Sequence, residues 1–89
     1  IGLTKKGKEF EALLNKDVYL GGRCVVNPSG GLKSKGHPVG ATGISMHALL
    51  HKQLTNNAIG VQVNNANAAL VLNIGGSGAT NMVSILKRS

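Results

Sequence analysis

The chain has 89 residues, of which 42% are apolar, and this length suits one small globular domain and no more. Thirteen residues are Gly, whereas the aromatic side chains are one Phe and one Tyr, so the core must be built from Val, Leu, Ile and Ala. Apolar runs such as residues 68–72 are far too short to span a bilayer, and a single Cys excludes a disulfide framework or a Cys-based zinc site within the chain.

The charge balance is strongly basic, with ten Lys and Arg against three acidic residues and a formal net charge of +7. This balance suits a nucleic-acid surface, an anionic membrane surface or a phosphorylated substrate. The cations are scattered, however. Bases of a nucleic acid stack on aromatic rings, and the two aromatic residues, Phe10 and Tyr19, lie outside any basic cluster. We therefore interpret the charges mainly as a solvated surface and expect no nucleic acid and no membrane as partners.

The start of the chain resembles that of a processed or excised piece of a longer protein. It begins at Ile1 rather than Met. The pattern of a signal peptide, which combines a basic region, an apolar region and a cleavage site, does not follow. The lone thiol, Cys24, fits a reducing compartment, so we expect a cytoplasmic protein. A buried, inert Cys24 is the favoured interpretation of its apolar neighbours.

The first elements in chain order are short. Residues 4–14 predict a helix, because Phe10, Leu13 and Leu14 follow helical spacing and Thr4 can cap its start, although Gly7 weakens it. Residues 23–27 predict a short strand.

A long loop and a helix occupy the middle of the chain. Residues 28–43 are rich in Gly, contain both Pro and lack periodicity, and loops of this length are usually functional. Thr42 is the predicted N-cap of an apolar helix over residues 44–54. Apolar residues surround most of that helix, so we expect it to be buried on more than one side.

The last third of the chain predicts a hairpin. Residues 68–74 form an apolar run, 75–78 form a Gly-rich turn, and 80–86 form a second strand. Val61 and Val63 indicate the start of a further strand.

The residue of greatest chemical interest is His37, which stands between Gly36 and Pro38 just before a helix. Glycines let the backbone approach a ligand closely, and a helix N-terminus adds a positive dipole end. A His held there serves as a general base or as a donor to an oxyanion. On composition alone, a Gly-rich surface loop with an incidental His is the alternative interpretation.

Two further patterns are weaker. His47 and His51 have the i, i+4 spacing of helical metal ligands, but the Glu of the zinc-protease pattern is missing, so we predict ordinary helix residues and no metal site. The turn that begins at Asn73 either aims backbone N–H groups at an oxyanion or is a plain hairpin turn.

The stretch from Asn27 to Gly43, NPSGGLKSKGHPVGATG, resembles the C-terminal signature of thiolases, which combines an Asn, a Gly-Gly pair and GHP-x-GATG. The resemblance covers residues 21–87, and we recognise no motif of the family in residues 1–20, so we divide the chain into an unassigned segment, 1–20, and a thiolase-like half-domain, 21–89. It is closest to the sterol-carrier-protein type and the archaeal thiolases. The implied fold is α/β, the C-terminal portion of a thiolase-like fold with a mixed sheet, a buried helix and a C-terminal hairpin.

The resemblance implies roles for individual residues. His37 corresponds to the catalytic His, and the backbone N–H of Gly75 corresponds to a donor in an oxyanion hole. Expected substrate-binding residues are Asn27, Gly30, Gly31, Gly36, Pro38 and Gly40. Asn73 departs from most thiolases, which carry a second catalytic Cys at that position, and the family's nucleophilic Cys is absent from these residues.

The implied function is acyl transfer between coenzyme A thioesters, with acyl-CoA and CoA as ligands and no further cofactor. The resemblance also implies that the chain works with the N-terminal part of a thiolase in a homo-oligomer, and that these residues alone are inactive. A non-catalytic thiolase-like scaffold subunit is the main alternative, because Asn73 replaces a Cys. A small basic nucleic-acid-binding module is the weaker alternative.

Overall fold

A computed structural model describes residues 2–89, with Ser34 described by its backbone alone, and Ile1, the start of the chain discussed above, lies outside the described residues. The elements in chain order are α1 (Glu9–Leu14), α2 (Leu32–Lys35), α3 (Thr42–Leu54), β1 (Ala68–Gly75) and β2 (Thr80–Lys87). None of these described helices is both long enough and apolar enough to cross a membrane.

The predicted hairpin is confirmed, with strands one residue longer than expected. β1 and β2 are antiparallel, in a register that runs from Ala68 opposite Lys87 to Gly75 opposite Thr80. Leu, Val and Ile in both strands suit a pleated sheet. The N–H of Gly78 donates to the carbonyl of Gly75 at 2.9 Å and closes the turn.

One face of the hairpin carries α3. Val71, which is 4% exposed, pairs with Ser84, and Ser84 bonds to His47 of α3. Because side chains alternate along a strand, the neighbouring residues of β1 point to the opposite face. The apolar side chains on that face are exposed: Leu70, Leu72, Ile74, Val83 and Ile85.

The predicted helix is confirmed, but its start differs from the expectation. Ala41 is the N-cap, and Thr42 is the first helical residue. The carbonyl of Pro38 accepts the N–H groups of Ala41 and Thr42, both at 2.9 Å. Thr42 therefore lies inside the helix, and its hydroxyl contacts Pro38 and His37 instead of capping the helix.

The α/β class is confirmed, whereas two details of the expected architecture are not present in residues 2–89. The sheet is a two-stranded antiparallel one rather than mixed. The helix α3 is covered on one side only, and Ile44 on its other side is 75% exposed. The reason is that a single hairpin covers one face of a helix, and no second layer is formed within the described residues.

The predicted first helix is shorter than expected. It begins at Glu9 rather than Thr4, so the predicted cap at Thr4 is wrong. Gly7 has a φ of +79°, which lies outside the right-handed helical region. The N–H of Lys8 instead closes a turn on the carbonyl of Lys5 at 3.0 Å.

The two short strands predicted at residues 23–27 and at Val61 and Val63 are not formed. Cys24 and Val26 donate backbone hydrogen bonds to Asp17 and Val18, but no ladder develops. A strand needs a neighbouring strand to pair with, and the local sequence does not supply one.

Side chains replace the missing ladder at Val61 and Val63. Gln53 at the end of α3 donates to the carbonyl of Val61 at 2.7 Å, and it accepts the N–H of Val63 at 3.0 Å. Gln62 in turn donates to the carbonyl of Gln53 at 2.9 Å. This network of buried Gln53 with Gln62 fixes the connection between α3 and β1.

Candidate functional site

His37 lies in the short connection between α2 and α3. Gly36 ends α2, since its N–H donates to the carbonyl of Leu32 at 2.9 Å, and its φ of +88° suits Gly. Pro38 follows His37 and restricts the backbone of that residue to extended conformations. Gly36 and Pro38 thus fix where the imidazole leaves the main chain.

A buried hydroxyl holds the imidazole of His37. The Nδ1 atom of His37 lies 2.7 Å from Oγ1 of Thr42, and this hydroxyl also donates to the carbonyl of Pro38 at 3.1 Å. Thr42 is 4% exposed, whereas His37 is exposed. The ring is therefore exposed to solvent, while one of its nitrogens is hydrogen-bonded to a buried residue.

The first turn of α3 lies directly against β1. A Cβ atom placed on Gly43 would come within 2.7 Å of Nδ2 of Asn73. Gly at position 43 therefore allows the helix to approach the half-buried Asn73 side chain. Since Gly43 follows Thr42 in the chain, this contact joins the His37 loop to the end of β1.

Gly75 completes the same end of the sheet. It lies two residues beyond Asn73, which is about 7 Å along an extended strand. A Cβ atom there would lie 2.6 Å from the backbone oxygen of Thr80, so only Gly fits against β2. The site predicted from the sequence thus has two parts, the His37 loop and the β1 end, that meet through Gly43 and Asn73.

His47, one helical turn after Gly43, joins α3 to β2 by hydrogen bonds. Its Nδ1 donates to the carbonyl of Gly43 at 2.6 Å, and its Nε2 lies 2.9 Å from Oγ of Ser84. With Nδ1–H donating to the carbonyl of Gly43, Nε2 is the ring nitrogen that pairs with the Ser84 hydroxyl. His51, one turn further along, is exposed.

Metal ligation has no geometric support in this region. Both nitrogens of His47 are engaged in the hydrogen bonds to Gly43 and Ser84. Across residues 2–89, no group of three or more His, Cys, Asp or Glu side chains is arranged to hold a metal ion.

A second group of predicted site residues forms a separate tight turn. The N–H of Gly30 donates to the carbonyl of Asn27 at 2.9 Å, and a Cβ atom on Gly31 would lie 3.8 Å from Nδ2 of Asn27. Gly30 and Gly31 have φ values of +90° and +70°. Gly adopts such positive angles readily, which explains why Gly stands at both positions. Among the described residues no hydrogen bond joins this turn to His37.

An open apolar groove of about 310 Å³ adjoins the Asn27 turn. Its lining residues are Val18, Tyr19, Leu20, Val25, Val26, Asn27, Pro28 and Val61. Cys24, next to the groove in sequence, is exposed, so the prediction of a buried Cys is wrong. The physical reason is that residues 23–27 do not pair into a sheet, so no second layer covers them.

Gly40, the last of the predicted site residues, and the cations Lys33 and Lys35 lie near the start of α3 in the chain. Gly40 is exposed, and a Cβ atom there would meet nothing within 4 Å. The ammonium of Lys35 donates to Oγ of Ser45 in the first turns of α3 at 2.7 Å. Lys33 and Lys35 of α2 thus add positive charge beside the loop that carries His37.

Sequence reasoning singled out His37 but missed its hydrogen-bond partner Thr42, which it predicts only as a helix cap. It also missed the contact of Gly43 with Asn73. The signal for the first lay in the spacing, because a hydroxyl five residues after His37 suits a ring partner, and the Gly that follows it suits a close approach of the helix to a neighbour.

The chain matches the family described as thiolase C-terminal domain-like over residues 1–88. It is 42% identical over 88 residues to an acetyl-CoA acetyltransferase of Methanothermobacter thermautotrophicus, covering 99% of this chain and 23% of that protein. It is 46% identical over 79 residues to sterol carrier protein 2 of Homo sapiens, covering 89% of this chain and 14% of that protein.

A third relative is the benzoylsuccinyl-CoA thiolase subunit BbsB of Thauera aromatica, which is 37% identical over 78 residues, covering 88% of this chain and 20% of that protein. The chain thus spans less than a quarter of the length of these relatives. No solved structure matches it.

Proposed function

This chain belongs to the thiolase C-terminal domain family, and on that premise we propose that it is the C-terminal part of an acyltransferase that acts on acyl-CoA thioesters. The reaction is a Claisen condensation or its reverse, thiolytic cleavage. In this proposal the chain supplies the catalytic His37 and the oxyanion donor Gly75. The rest of the protein supplies the cysteine nucleophile.

One observation carries the proposal. The imidazole of His37 is exposed to a substrate and is bonded at 2.7 Å to the buried Thr42 at the start of α3. The next residue, Gly43, contacts Asn73 on the strand that ends at Gly75. A base and a Gly-rich strand end that are linked through the start of α3 support a role in acyl transfer, which requires both beside the nucleophile.

The chemical roles follow from the two groups. The free nitrogen of His37 takes the proton of the cysteine thiol, and the sulfur attacks the carbonyl carbon of the thioester. The tetrahedral intermediate collapses, CoA leaves as a thiolate and recovers the proton from His37, and the acyl group stays on the sulfur. The N–H of Gly75 and, once protonated, the ring of His37 stabilise oxyanions in these steps.

The second half of the reaction forms the carbon–carbon bond. A base removes a proton next to the carbonyl of a second acyl-CoA, and the carbanion attacks the acyl carbon of the acyl-enzyme. The carbon–sulfur bond to the enzyme breaks, and the cysteine leaves as a thiolate that recovers the proton held by that base. Thiolytic cleavage is the same sequence in reverse.

Coenzyme A binding is assigned to the Gly-rich turns. In the proposal, Asn27 with Gly30 and Gly31 lines one part of the path of the pantetheine arm, and Gly36, Pro38 and Gly40 line the other. Backbone without side chains lets a thin ligand pass closely. Lys33 and Lys35 complement the phosphates of the nucleotide end. No cofactor beyond the CoA thioesters is needed.

The assembly and location belong to the same proposal. The exposed apolar face of the hairpin and the exposed Ile44 favour contact with the rest of a thiolase subunit and a homo-oligomer. The single thiol of this chain suits a reducing, cytoplasmic location. These residues alone are expected to be inactive, and acetylation of Cys24 by acetyl-CoA would contradict that expectation.

The test is a substitution of His37 in the complete protein that contains this chain. His37→Ala should lower the rate of acetoacetyl-CoA cleavage by CoA at least about a hundred-fold, because the base and an oxyanion donor are lost together. The fold should be retained, since the His37 side chain is exposed. The control is His51→Ala, an exposed His on α3, which should leave the rate near normal. Retention of more than about a tenth of the activity by His37→Ala would overturn the proposal.

A non-catalytic thiolase-like subunit is the second candidate, and Asn73 is the observation that favours it. Its side chain fills the space beside Gly43, at the position where most thiolases carry a second catalytic Cys. Mass spectrometry of the complete protein after acetyl-CoA treatment separates the two candidates. An acetyl group on a cysteine outside these residues supports the enzyme, and its absence supports the subunit.

A further inference from the structure

The hydrogen bonds around Thr42 determine where the protons lie. The hydroxyl of Thr42 has one proton and lies 3.1 Å from the carbonyl of Pro38, which accepts only. In the arrangement in which that proton is donated to Pro38, Oγ1 of Thr42, at 2.7 Å from Nδ1 of His37, is an acceptor, and Nδ1 carries the ring proton.

We propose that Thr42 is a positioning residue that holds the neutral imidazole of His37 in the Nδ1–H tautomer. In this tautomer the lone pair of Nε2 is free and the ring has one orientation. The catalytic consequence rests on the proposed function, in which His37 accepts a proton from the cysteine thiol. An exposed imidazole without this bond changes its rotamer and its tautomer freely, and it spends less time ready to accept that proton.

The hydroxyl of Thr42 is itself fixed. Thr42 is buried, its own N–H is bonded to Pro38, and its branched Cβ restricts the side-chain rotamer. The next residue, Gly43, is held by Asn73 on one side and by His47 through its carbonyl. The exposed ring of His37 is thus attached to a buried position whose backbone is hydrogen-bonded within the fold.

The substitution that separates this role from packing is Thr42→Val. Val has the shape of Thr but neither donates nor accepts a hydrogen bond. The carbonyl of Pro38 still accepts the N–H groups of Ala41 and of residue 42, so no buried polar group loses its last partner. We therefore expect the variant to fold. Thr42→Ser keeps the hydroxyl and serves as the conservative rescue.

The experiment combines nitrogen NMR with kinetics in the complete protein. Protein labelled with ¹⁵N in His is measured as wild type, Thr42→Val and Thr42→Ser, and His37→Ala assigns the His37 signals. We expect the neutral His37 to be Nδ1–H in the wild type and Thr42→Ser, and to shift to Nε2–H in Thr42→Val. We expect kcat of Thr42→Val to fall about ten-fold with KM little changed, the effect of one positioning hydrogen bond, and Thr42→Ser to restore it.

The two arms distinguish the failure of this proposal from the failure of the proposed function. An Nε2–H tautomer in the wild type, or an unchanged tautomer in Thr42→Val, overturns the assignment of Thr42 whatever the activity. Normal kcat in Thr42→Val, where His37→Ala is inactive, overturns the positioning role. Full activity in His37→Ala overturns the proposed function, and the spectra still decide the tautomer. If Thr42→Val does not fold, the wild-type spectrum alone tests the proposal: an Nδ1–H tautomer supports it, and an Nε2–H tautomer overturns it.

Discussion

Two regions of this chain are held together in different ways. In the helix–hairpin unit, residues 42–87, α3 packs on both strands. In the N-terminal segment, residues 2–41, neither α1 nor α2 packs on another element within residues 2–89, apart from the hydrogen bond of Lys35 to Ser45. His37 belongs to the segment, but its bond reaches Thr42 in the unit. The position of the His37 ring therefore depends on the helix–hairpin unit, which holds its partner Thr42.

The largest expected effect on stability lies at the end of the sheet in the helix–hairpin unit. Gly75→Ala places a Cβ atom against the backbone oxygen of Thr80, and backbone cannot move away as the end of a side chain can. We expect a loss of about 2–3 kcal/mol in the free energy of unfolding. Urea unfolding of the complete protein measures it. A loss below about 0.5 kcal/mol would show that the two strands separate here without cost.

The next effect tests the link between α3 and β2. His47→Ala removes two half-buried hydrogen bonds, to the carbonyl of Gly43 and to Oγ of Ser84. We expect a loss of about 1–2 kcal/mol in the free energy of unfolding. His51→Ala is the matched control on the same helix, since its side chain is exposed. Equal stability of the two variants would contradict the link.

The smallest effect belongs to the N-terminal segment. Arg23 donates to the carbonyl of Leu3 at 2.9 Å and lies 3.3 Å from a carboxylate oxygen of Asp17, but its side chain is largely exposed. Because water screens such a pair, Arg23→Ala should change the free energy of unfolding by less than about 0.5 kcal/mol. The same urea measurement checks it, and a loss as large as that of His47→Ala would remove the contrast between the two regions.

The same contrast appears in how well the sequence predicted each region. The hairpin and α3 were predicted to within two residues at each end, because alternating apolar residues, a Gly-rich turn and a helical apolar run are local patterns. In the N-terminal segment the predicted strand at residues 23–27 did not form, and the helix from Thr4 shortened to Glu9–Leu14. The strand predicted at Val61 and Val63, which lies in the connection between α3 and the hairpin, did not form either. Those elements depend on contacts with residues distant in the sequence, which local patterns do not reveal.

The sequence by itself determined that His37 lies in a Gly-rich loop before a helix, and that a hairpin with a Gly turn follows. Only the tertiary structure decided how the start of α3 meets the sheet. The bond of His37 to Thr42 spans five residues, whereas the contact of Gly43 with Asn73 and the bond from His47 to Ser84, which is 37 residues away, depend on how α3 lies across the sheet. Local propensities act over a few residues, whereas that packing is set by buried surface and hydrogen bonds between distant parts of the chain.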